Sequence, residues 1–231
     1  MIKYYDGTVF NTDAKAIVNT VNCTGVMGAG IALEFMLRYP DMFEEYKTFC
    51  SDGKYLPGRV KYHVARDLTI INFSTKWHFK YPSKIEWIES GLIDFCKTYK
   101  DHNITSVAFP KLGTNNGGLN WDDVKWLMEK YLSKVDAEVY ICLDKNPNPE
   151  GVEKDMLDMF NNMSIDGISS VVKLNKNQLE ALKKNRPFGR FWQIGNTEKI
   201  GIKTYSNIFR FFYDKAINNE QVYEQMSILD I

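Results

Sequence analysis

The sequence has few cysteines and no long apolar run, and both shortages narrow the class of protein. Only four cysteines occur among the 231 residues, and no two of them are spaced as C-x-x-C. Neither a disulfide framework nor a structural zinc site is indicated, and free thiols are typical of a reducing compartment. No apolar stretch approaches the roughly 20 residues needed to cross a bilayer, and the initial MIKYYDGTVF does not resemble a signal peptide. We expect a cytoplasmic protein that does not enter the membrane.

The sequence also lacks a net charge, although its charges are unevenly distributed. The formal net charge is zero, but residues 171–215 contain ten lysines and arginines and only three aspartates and glutamates. No group of histidines and carboxylates has the spacing of metal ligands, so we predict neither a metal nor a cofactor. A hydrophobic content of 44% with 25% charged residues is typical of a globular protein.

Short β-branched or aromatic segments alternate with segments of helical period, which is the pattern of an α/β layer architecture. Ser83 has Glu86 three residues later, the spacing of a capping box, and Asn120 can cap a further helix. Strands are predicted at 16–19, 59–65, 69–73, 106–110 and 138–143, with another in IKYYDGTVF.

The alternation weakens after about residue 164. A turn-rich segment, DKNPNPEG, precedes a predicted helix through VEKDMLDMFNNM, and two or three further helices follow, among them 176–184 and 204–216. We therefore expect a first domain over 1–163 and a basic, aromatic-rich extension of unknown role over 164–231. Its aromatic residues, notably Phe209, Phe212 and Tyr213, are expected to pack against the first domain, and its charge could contribute weakly to nucleic-acid binding.

Two glycine-rich segments are each predicted to lie between a strand and a helix. VNTVNCTGVMGAGIALEF (18–35) leads into a helix predicted to begin near Gly28, and FPKLGTNNGGLNW (109–121) follows another strand. Such loops can point free N–H groups at a phosphate, and parallel strands bring them to the same sheet edge. A strand-to-helix turn can also need glycine for its geometry alone. Together, the two loops favour a long ligand that contains a diphosphate.

These motifs resemble the macrodomain family, whose members bind ADP-ribose. The similarity lies in AIVNTVN followed by GVMGAGIA, and in FPKLGTNNGG, and it covers roughly residues 1–160. It implies a three-layer α/β/α fold with a mixed, largely parallel central sheet, to which the mainly helical extension is added. NFSTKWHFKYPSKIEWIESGL (72–92) is most similar to the DarG-type branch, antitoxin enzymes that remove ADP-ribose from thymine bases of single-stranded DNA. The resemblance therefore implies a DNA ADP-ribosyl glycohydrolase in a toxin–antitoxin and DNA-repair context, with a DarT-like ADP-ribosyltransferase toxin as partner.

The resemblance also implies site residues. Asn22 would contact the distal ribose, and Lys76 corresponds to the catalytic lysine. The loop residues expected to hold ADP-ribose are Gly28, Ala29, Gly30, Ile31, Gly113, Thr114, Asn115, Asn116 and Gly117.

Two positions depart from the patterns of related macrodomains. Thr8 stands where many of them carry an aspartate that binds adenine, so Thr8 or the neighbouring Asp6 would have to serve instead. A related branch that acts on protein carboxylates carries an aspartate where this chain has Gly117. The second departure favours DNA over protein as the substrate.

Lys76 could act in either of two ways. A neutral amine could attack the anomeric carbon, whereas a protonated one could assist the departing thymine. A lysine in a loop can also be merely solvated. The following residues, Trp77, His78, Phe79 and Lys80, mix rings and charge as a single-stranded DNA surface does, although Trp77 and Phe79 could equally pack under the loop. The alternatives to this enzyme are a non-catalytic module that binds ADP-ribose or a nucleotide signal, and an enzyme that acts on ADP-ribosylated protein or on an ADP-ribose phosphoester.

Overall fold

In the computed structural model the chain divides into two compact units, 1–145 and 146–231. The structure describes residues 1–66 and 68–229, with side chains as far as residue 218. Residues 230–231 of the expected extension lie outside the described residues. Between residues 1 and 229, Asp67 left aside, no helix combines the length and apolar character that crossing a membrane requires.

The first unit is built on one six-stranded sheet with the strand order β1-β6-β5-β2-β4-β3. All neighbouring strands are parallel except β3 and β4, which are antiparallel, so the predicted mixed and largely parallel sheet is confirmed. The strands are β1 (Ile2–Tyr5), β2 (Ala16–Val21), β3 (Val60–Ala65), β4 (Leu68–Ser74), β5 (Ser106–Pro110) and β6 (Glu138–Cys142). Each predicted strand is present, with ends shifted by at most a few residues.

Helices cover both faces of this sheet. They are α1 (Gly30–Arg38), α2 (Pro40–Ser51), α3 (Ile85–Thr98) and α4 (Trp121–Leu132), with short 3-10 turns at Val9–Asn11 and Tyr99–His102. Adjacent strand residues point to opposite faces. Ile17 packs in one core cluster with Phe35 of α1, whereas Val18 packs in another with Leu92 of α3. The three-layer α/β/α arrangement follows from these two cores.

The capping predictions for α3 and α4 had different outcomes. Asn120 caps α4 as predicted, because its side chain accepts hydrogen bonds from the N–H groups of Asp122 and Asp123 at 2.8 and 3.3 Å. The capping box at Ser83 is wrong, since α3 begins at Ile85 and Lys84 is its N-cap residue. The Ser83 N–H donates instead to the carbonyl of Gly117 at 2.9 Å.

The second unit is helical. It contains α5 (Gly151–Asn162), α6 (Ile165–Val171), α7 (Lys176–Asn185), α8 (Trp192–Gly195) and α9 (Ile202–Leu229). As far as residue 229, four helices follow residue 164 where two or three were expected, since α6 and α8 are too short for a clear helical period.

The division between the units falls earlier than the predicted boundary after residue 163. Helix α5 belongs to the second unit, because Phe160 packs edge-on against Phe188, Phe191 and Phe212 with ring centroids 5.3–6.1 Å apart. The carboxylate of Glu153 also accepts from the Arg190 guanidinium at 2.9 and 3.1 Å. Long-range packing of α5 thus decides where the chain divides. Within this unit the rings of Phe209 and Phe212 pack against Phe191.

Candidate functional site

The first glycine loop (22–29) joins β2 to α1 and is organised around Asn22. The Asn22 side chain is buried, donates to the carbonyl of Val26 at 2.6 Å, and accepts from the N–H and hydroxyl of Thr24 at 2.8 and 2.7 Å. The Tyr46 hydroxyl, on α2, donates to both oxygens of Asn22 at 2.8 and 3.1 Å. Asn22 therefore fixes the shape of the loop, and its contact with a ribose stays a prediction.

The end of this loop exposes backbone N–H groups. Gly28, Ala29 and Gly30 are exposed and Ile31 is half-buried. No side chain caps the N-terminus of α1, so the N–H groups of its first turn keep their capacity to bind an anion. The positive end of the helix dipole adds to this capacity.

The second glycine loop (111–120) joins β5 to α4 and is tightly folded. The Gly118 N–H donates to Thr114 at 2.8 Å, and the Leu119 N–H donates to Gly113 at 3.1 Å. Asn115 and Asn116 are exposed, Thr114 is half-buried, and Gly113 and Gly117 are buried. A Cβ at Gly117 would lie 2.1 Å from the Gly113 carbonyl oxygen. In this conformation the loop therefore has no room for an aspartate at position 117.

The two loops meet at the same edge of the sheet. They follow β2 and β5, which are adjacent and parallel, so the prediction that both emerge at one edge is confirmed. Gly30 adopts a φ of +56°, and a Cβ there would lie 2.9 Å from Nδ2 of Asn116. Gly30 is thus close to the end of the Asn116 side chain, and its positive φ favours glycine at this position.

Lys76 is tied to both loops. It follows β4, the other parallel neighbour of β2, and its Nζ donates to the backbone carbonyl of Asn116. The backbone on either side is tied to the first loop region, because the Thr75 N–H donates to Val21 and the Cys23 N–H donates to Trp77. Partial burial lowers the pKa of Lys76 below the usual 10.5 of a lysine. The structure thus brings together an amine and two glycine loops.

The residues after Lys76 are largely exposed. Trp77, Phe79 and Lys80 are exposed and His78 is half-buried, so Trp77 and Phe79 do not pack under the loop. Their contact with DNA stays a prediction.

Thr8 lies at the same edge of the sheet as the two loops but after a different strand. It follows β1, an edge strand three positions from β2 in the sheet, and its hydroxyl donates to Oδ1 of Asn11 at 2.6 Å. Asp6 is exposed at the same edge. An adenine-binding role for Thr8 or Asp6 therefore stays a prediction.

Three residues at the site were not found from the sequence. Tyr46 supports Asn22, and Ser83 supports the second loop through the Gly117 carbonyl. Asn19 on β2 is fully buried and donates to Oδ1 of Asn72 on β4 at 2.9 Å. The only signal in the sequence for the last pair was an asparagine inside each of two apolar strands. Over the described residues, no group of three or more His, Cys, Asp or Glu side chains could hold a metal ion.

Comparisons with family models, curated proteins and solved structures agree on one family. The model of the Macro domain family matches residues 18–128. A curated relative from Mycobacterium tuberculosis, named DNA ADP-ribosyl glycohydrolase, is 44% identical over 160 residues, which are 66% of this chain and 46% of the relative. The chain thus spans about half the length of that relative.

Two solved structures share the fold. The macrodomain of Thermus aquaticus DarG is 35% identical with a TM-score of 0.59, and the match covers 62% of this chain and 98% of that one. Thermosipho africanus DarTG in complex with ADP-ribose is 30% identical with a TM-score of 0.58, and the match covers 63% of this chain and 42% of that one.

Proposed function

The chain belongs to the macrodomain family, and we propose that it is a DNA ADP-ribosyl glycohydrolase whose cleft binds ADP-ribose and whose catalytic residue is Lys76. One observation carries this proposal: Lys76 follows the strand next to the first glycine loop, and its amine reaches the carbonyl of Asn116 in the second. A reactive amine at the junction of two anion-binding loops fits a ligand with a diphosphate and an adjacent bond to be cleaved. Similarity to the mycobacterial glycohydrolase and to the Thermosipho africanus complex with ADP-ribose supports the same assignment.

We assign the parts of ADP-ribose by their chemistry. The diphosphate would lie between the N-terminus of α1 and the second loop, over Gly28–Ile31 on one side and Gly113–Gly117 on the other. The distal ribose would approach Asn22 and Lys76, and adenine would extend toward Thr8. The cleft would then hold the sugar carbon that reacts next to the lysine.

The reaction breaks the bond between the anomeric carbon of the distal ribose and a thymine nitrogen. In one route the neutral Lys76 amine forms a bond to this carbon, thymine leaves with the bonding electrons and takes up a proton, and water later releases ADP-ribose and the free amine. In the other route protonated Lys76 gives its proton to the departing thymine, and water adds directly to the carbon and returns a proton to the amine. Burial, which lowers the pKa of Lys76, enlarges the neutral fraction that the first route requires.

The test is an assay on an oligonucleotide that carries ADP-ribosylated thymidine. The protein should release ADP-ribose and restore the unmodified strand. Lys76→Ala should abolish turnover while free ADP-ribose still binds, and Lys76→Arg, which keeps the charge without a nucleophilic amine, separates the two routes. Lys97→Ala, at an exposed lysine near the end of α3, is the matched control and should leave turnover unchanged.

Each other result points to a specific alternative. An intact adduct together with tight ADP-ribose binding would make the chain a non-catalytic binding module. Faster cleavage of a protein adduct or of an ADP-ribose phosphoester would change the substrate and keep the enzyme. Full activity of Lys76→Ala would move catalysis to another residue.

We further propose a DarT-like ADP-ribosyltransferase as the partner that makes the substrate, supported by the similarity to the DarTG structure. We also propose a reducing, cytoplasmic location, supported by the four cysteines, all of which are free thiols.

A further inference from the structure

The segment after Lys76 exposes three aromatic rings at alternate positions. The exposed fractions are 50% for Trp77, 44% for Phe79 and 63% for Tyr81. Single exposed rings are common on protein surfaces, but a contiguous exposed group marks an interaction site. We call residues 77–84 the aromatic loop.

The rings of this loop are held in a fixed arrangement. The His78 ring stacks on Phe79 with centroids 4.4 Å apart and planes 24° apart, and its centroid lies 5.4 Å from that of Tyr81. Two hydrogen bonds hold the turn. The Lys80 N–H donates to Nδ1 of the His78 side chain at 3.2 Å, and the Tyr81 N–H donates to the His78 carbonyl at 3.1 Å. A ring surface that is already ordered loses little conformational entropy when it binds.

The charge on the loop is of one sign. Lys80 and Lys84 lie within it and Lys76 directly precedes it. No aspartate or glutamate occurs between Lys76 and Glu86. The Nζ of Lys80 lies 5.8 Å from the centroid of the Phe79 ring. Cations beside exposed rings are suited to a ligand in which flat rings alternate with anionic groups.

The loop also begins at the cleft. The Trp77 carbonyl accepts from the N–H of Cys23 in the first glycine loop at 3.1 Å, and the preceding residue is Lys76. If the sugar binds at Lys76 as proposed, the polymer joined to it would lie next to the aromatic loop.

We propose that the aromatic loop is a track for an unpaired nucleic-acid strand, which stacks the bases next to the modified one on Phe79 and Tyr81 and neutralises their phosphates with Lys80 and Lys84. This inference rests on the proposed function and adds Tyr81 and Lys84 as specificity-determining residues. Bases in a duplex are stacked on each other and cannot offer their faces to these rings, so the track selects a single strand. Exposed rings can also bind a hydrophobic surface of another protein, and ring-dependent binding to a protein is one outcome of the test.

The first experiment compares three substrates that carry the same adduct: ADP-ribosyl thymidine, a single-stranded oligonucleotide and its duplex. We expect kcat/KM for the single strand to exceed that for the nucleoside and for the duplex by about 5- to 100-fold, the range of one base stacked on an aromatic ring. Tyr81→Ala should reduce this preference, and Lys84→Ala should reduce its dependence on salt. Trp126→Ala is the matched control. Trp126 lies outside the aromatic loop, is 60% exposed and has the Nζ of Lys130 4.9 Å from its ring centroid. This variant should keep the preference for the single strand.

The outcomes separate the track from the activity. Equal kcat/KM for nucleoside and oligonucleotide would overturn the track and leave the glycohydrolase in place. If no adduct were cleaved, the proposed glycohydrolase activity would be wrong. Fluorescence anisotropy with an unmodified single strand would still test the track. Binding that is weakened in Phe79→Ala and Tyr81→Ala supports it. No binding to the strand, or ring-dependent binding to a protein instead, overturns it.

Discussion

The two units of this chain bury different kinds of side chain. The second unit fills its core with rings, where Phe160, Phe191 and Phe212 pack at centroid distances of 5.3–6.2 Å. The first unit has an apolar core on each sheet face but also holds six of the seven buried polar residues of the described chain, which are Asn19, Asn22, Asn72, Ser74, Thr75 and Ser83. All six lie on β2 or β4 or in the loops that follow these strands.

This difference concerns the interactions that hold each unit in its native shape. Burying a polar group is costly unless it is hydrogen-bonded, so such groups persist where they fix a shape that apolar packing cannot fix. In the first unit they fix the strand ends from which the loops of the candidate site emerge. Oδ1 of Asn19 and Oγ of Ser83 are buried without a partner among the described residues, so these two atoms add a desolvation cost to the polar arrangement.

The largest expected effect comes from removing a ring of the second unit. Phe191→Ala should lower the free energy of unfolding by about 3–5 kcal/mol, because the ring is fully buried and would leave a cavity. ADP-ribose affinity, measured by calorimetry on the folded protein, should stay near the wild-type value. Trp192→Ala, at a neighbouring residue that is 49% exposed, is the control and should change stability little. A matching loss of ADP-ribose affinity in Phe191→Ala would mean that the units are coupled.

Removing one hydroxyl from the first unit should have a smaller effect on stability and a specific one on binding. Tyr46→Phe leaves the buried oxygens of Asn22 without this donor, which should cost about 1–3 kcal/mol in denaturant unfolding. The first glycine loop should loosen, and ADP-ribose affinity should fall.

Tyr55→Phe is the control for this prediction. The Tyr55 hydroxyl is equally buried but donates to the backbone carbonyl of Asn72 at 2.6 Å and not to Asn22. Its stability loss should be similar, while ADP-ribose affinity should be kept. Equal loss of affinity in both variants would contradict a specific role of Asn22.

The pH dependence of turnover tests which protonation state of Lys76 is active. Because burial lowers the pKa of Lys76, the nucleophilic route predicts a kcat that rises about tenfold per pH unit below that pKa and levels off above it. The acid route predicts the opposite, a kcat that falls above the pKa. Initial rates measured across pH with a saturating adduct decide between these signs. Lys76→Arg, whose guanidinium stays protonated, should show no such step if it retains activity.

The smallest expected effect concerns two polar residues near the second loop. Asn120→Ala removes the cap of α4 and should cost about 1 kcal/mol in denaturant unfolding. Ser83→Ala should cost less or even stabilise, because its Oγ has no hydrogen-bond partner within the described part of the chain. A larger loss in Ser83→Ala than in Asn120→Ala would show that the Ser83 hydroxyl is paired in solution.

Much of the first unit could be predicted from the sequence. Apolar strands of β-branched residues and helices of period 3.6 are local patterns, so the six strands and the helices α3 and α4 were predictable in type and order. The cap at Asn120 was predictable for the same reason. The outcome at Ser83 was not predictable. A serine followed by a glutamate three residues later matches the capping-box spacing even where, as here, the serine pairs with another loop.

The residues that could form the site are recognisable from local patterns in the chain. The sequence placed glycines where Gly30, Gly113 and Gly118 adopt positive φ, a conformation that other residues rarely take, and it placed Lys76 directly after a buried strand. Each of these is a property of a residue and its near neighbours in the chain.

Which of these residues contact each other depends on the tertiary structure. Lys76 and Asn116 are 40 positions apart, and Tyr46 and Asn22 are 24 apart, so their contacts depend on strand order and helix packing. The same holds for the division after Lys145, which follows from the packing of Phe160 against rings far along the chain. Local periodicity carries no information on such pairings, because many strand orders and helix placements bury the same apolar faces.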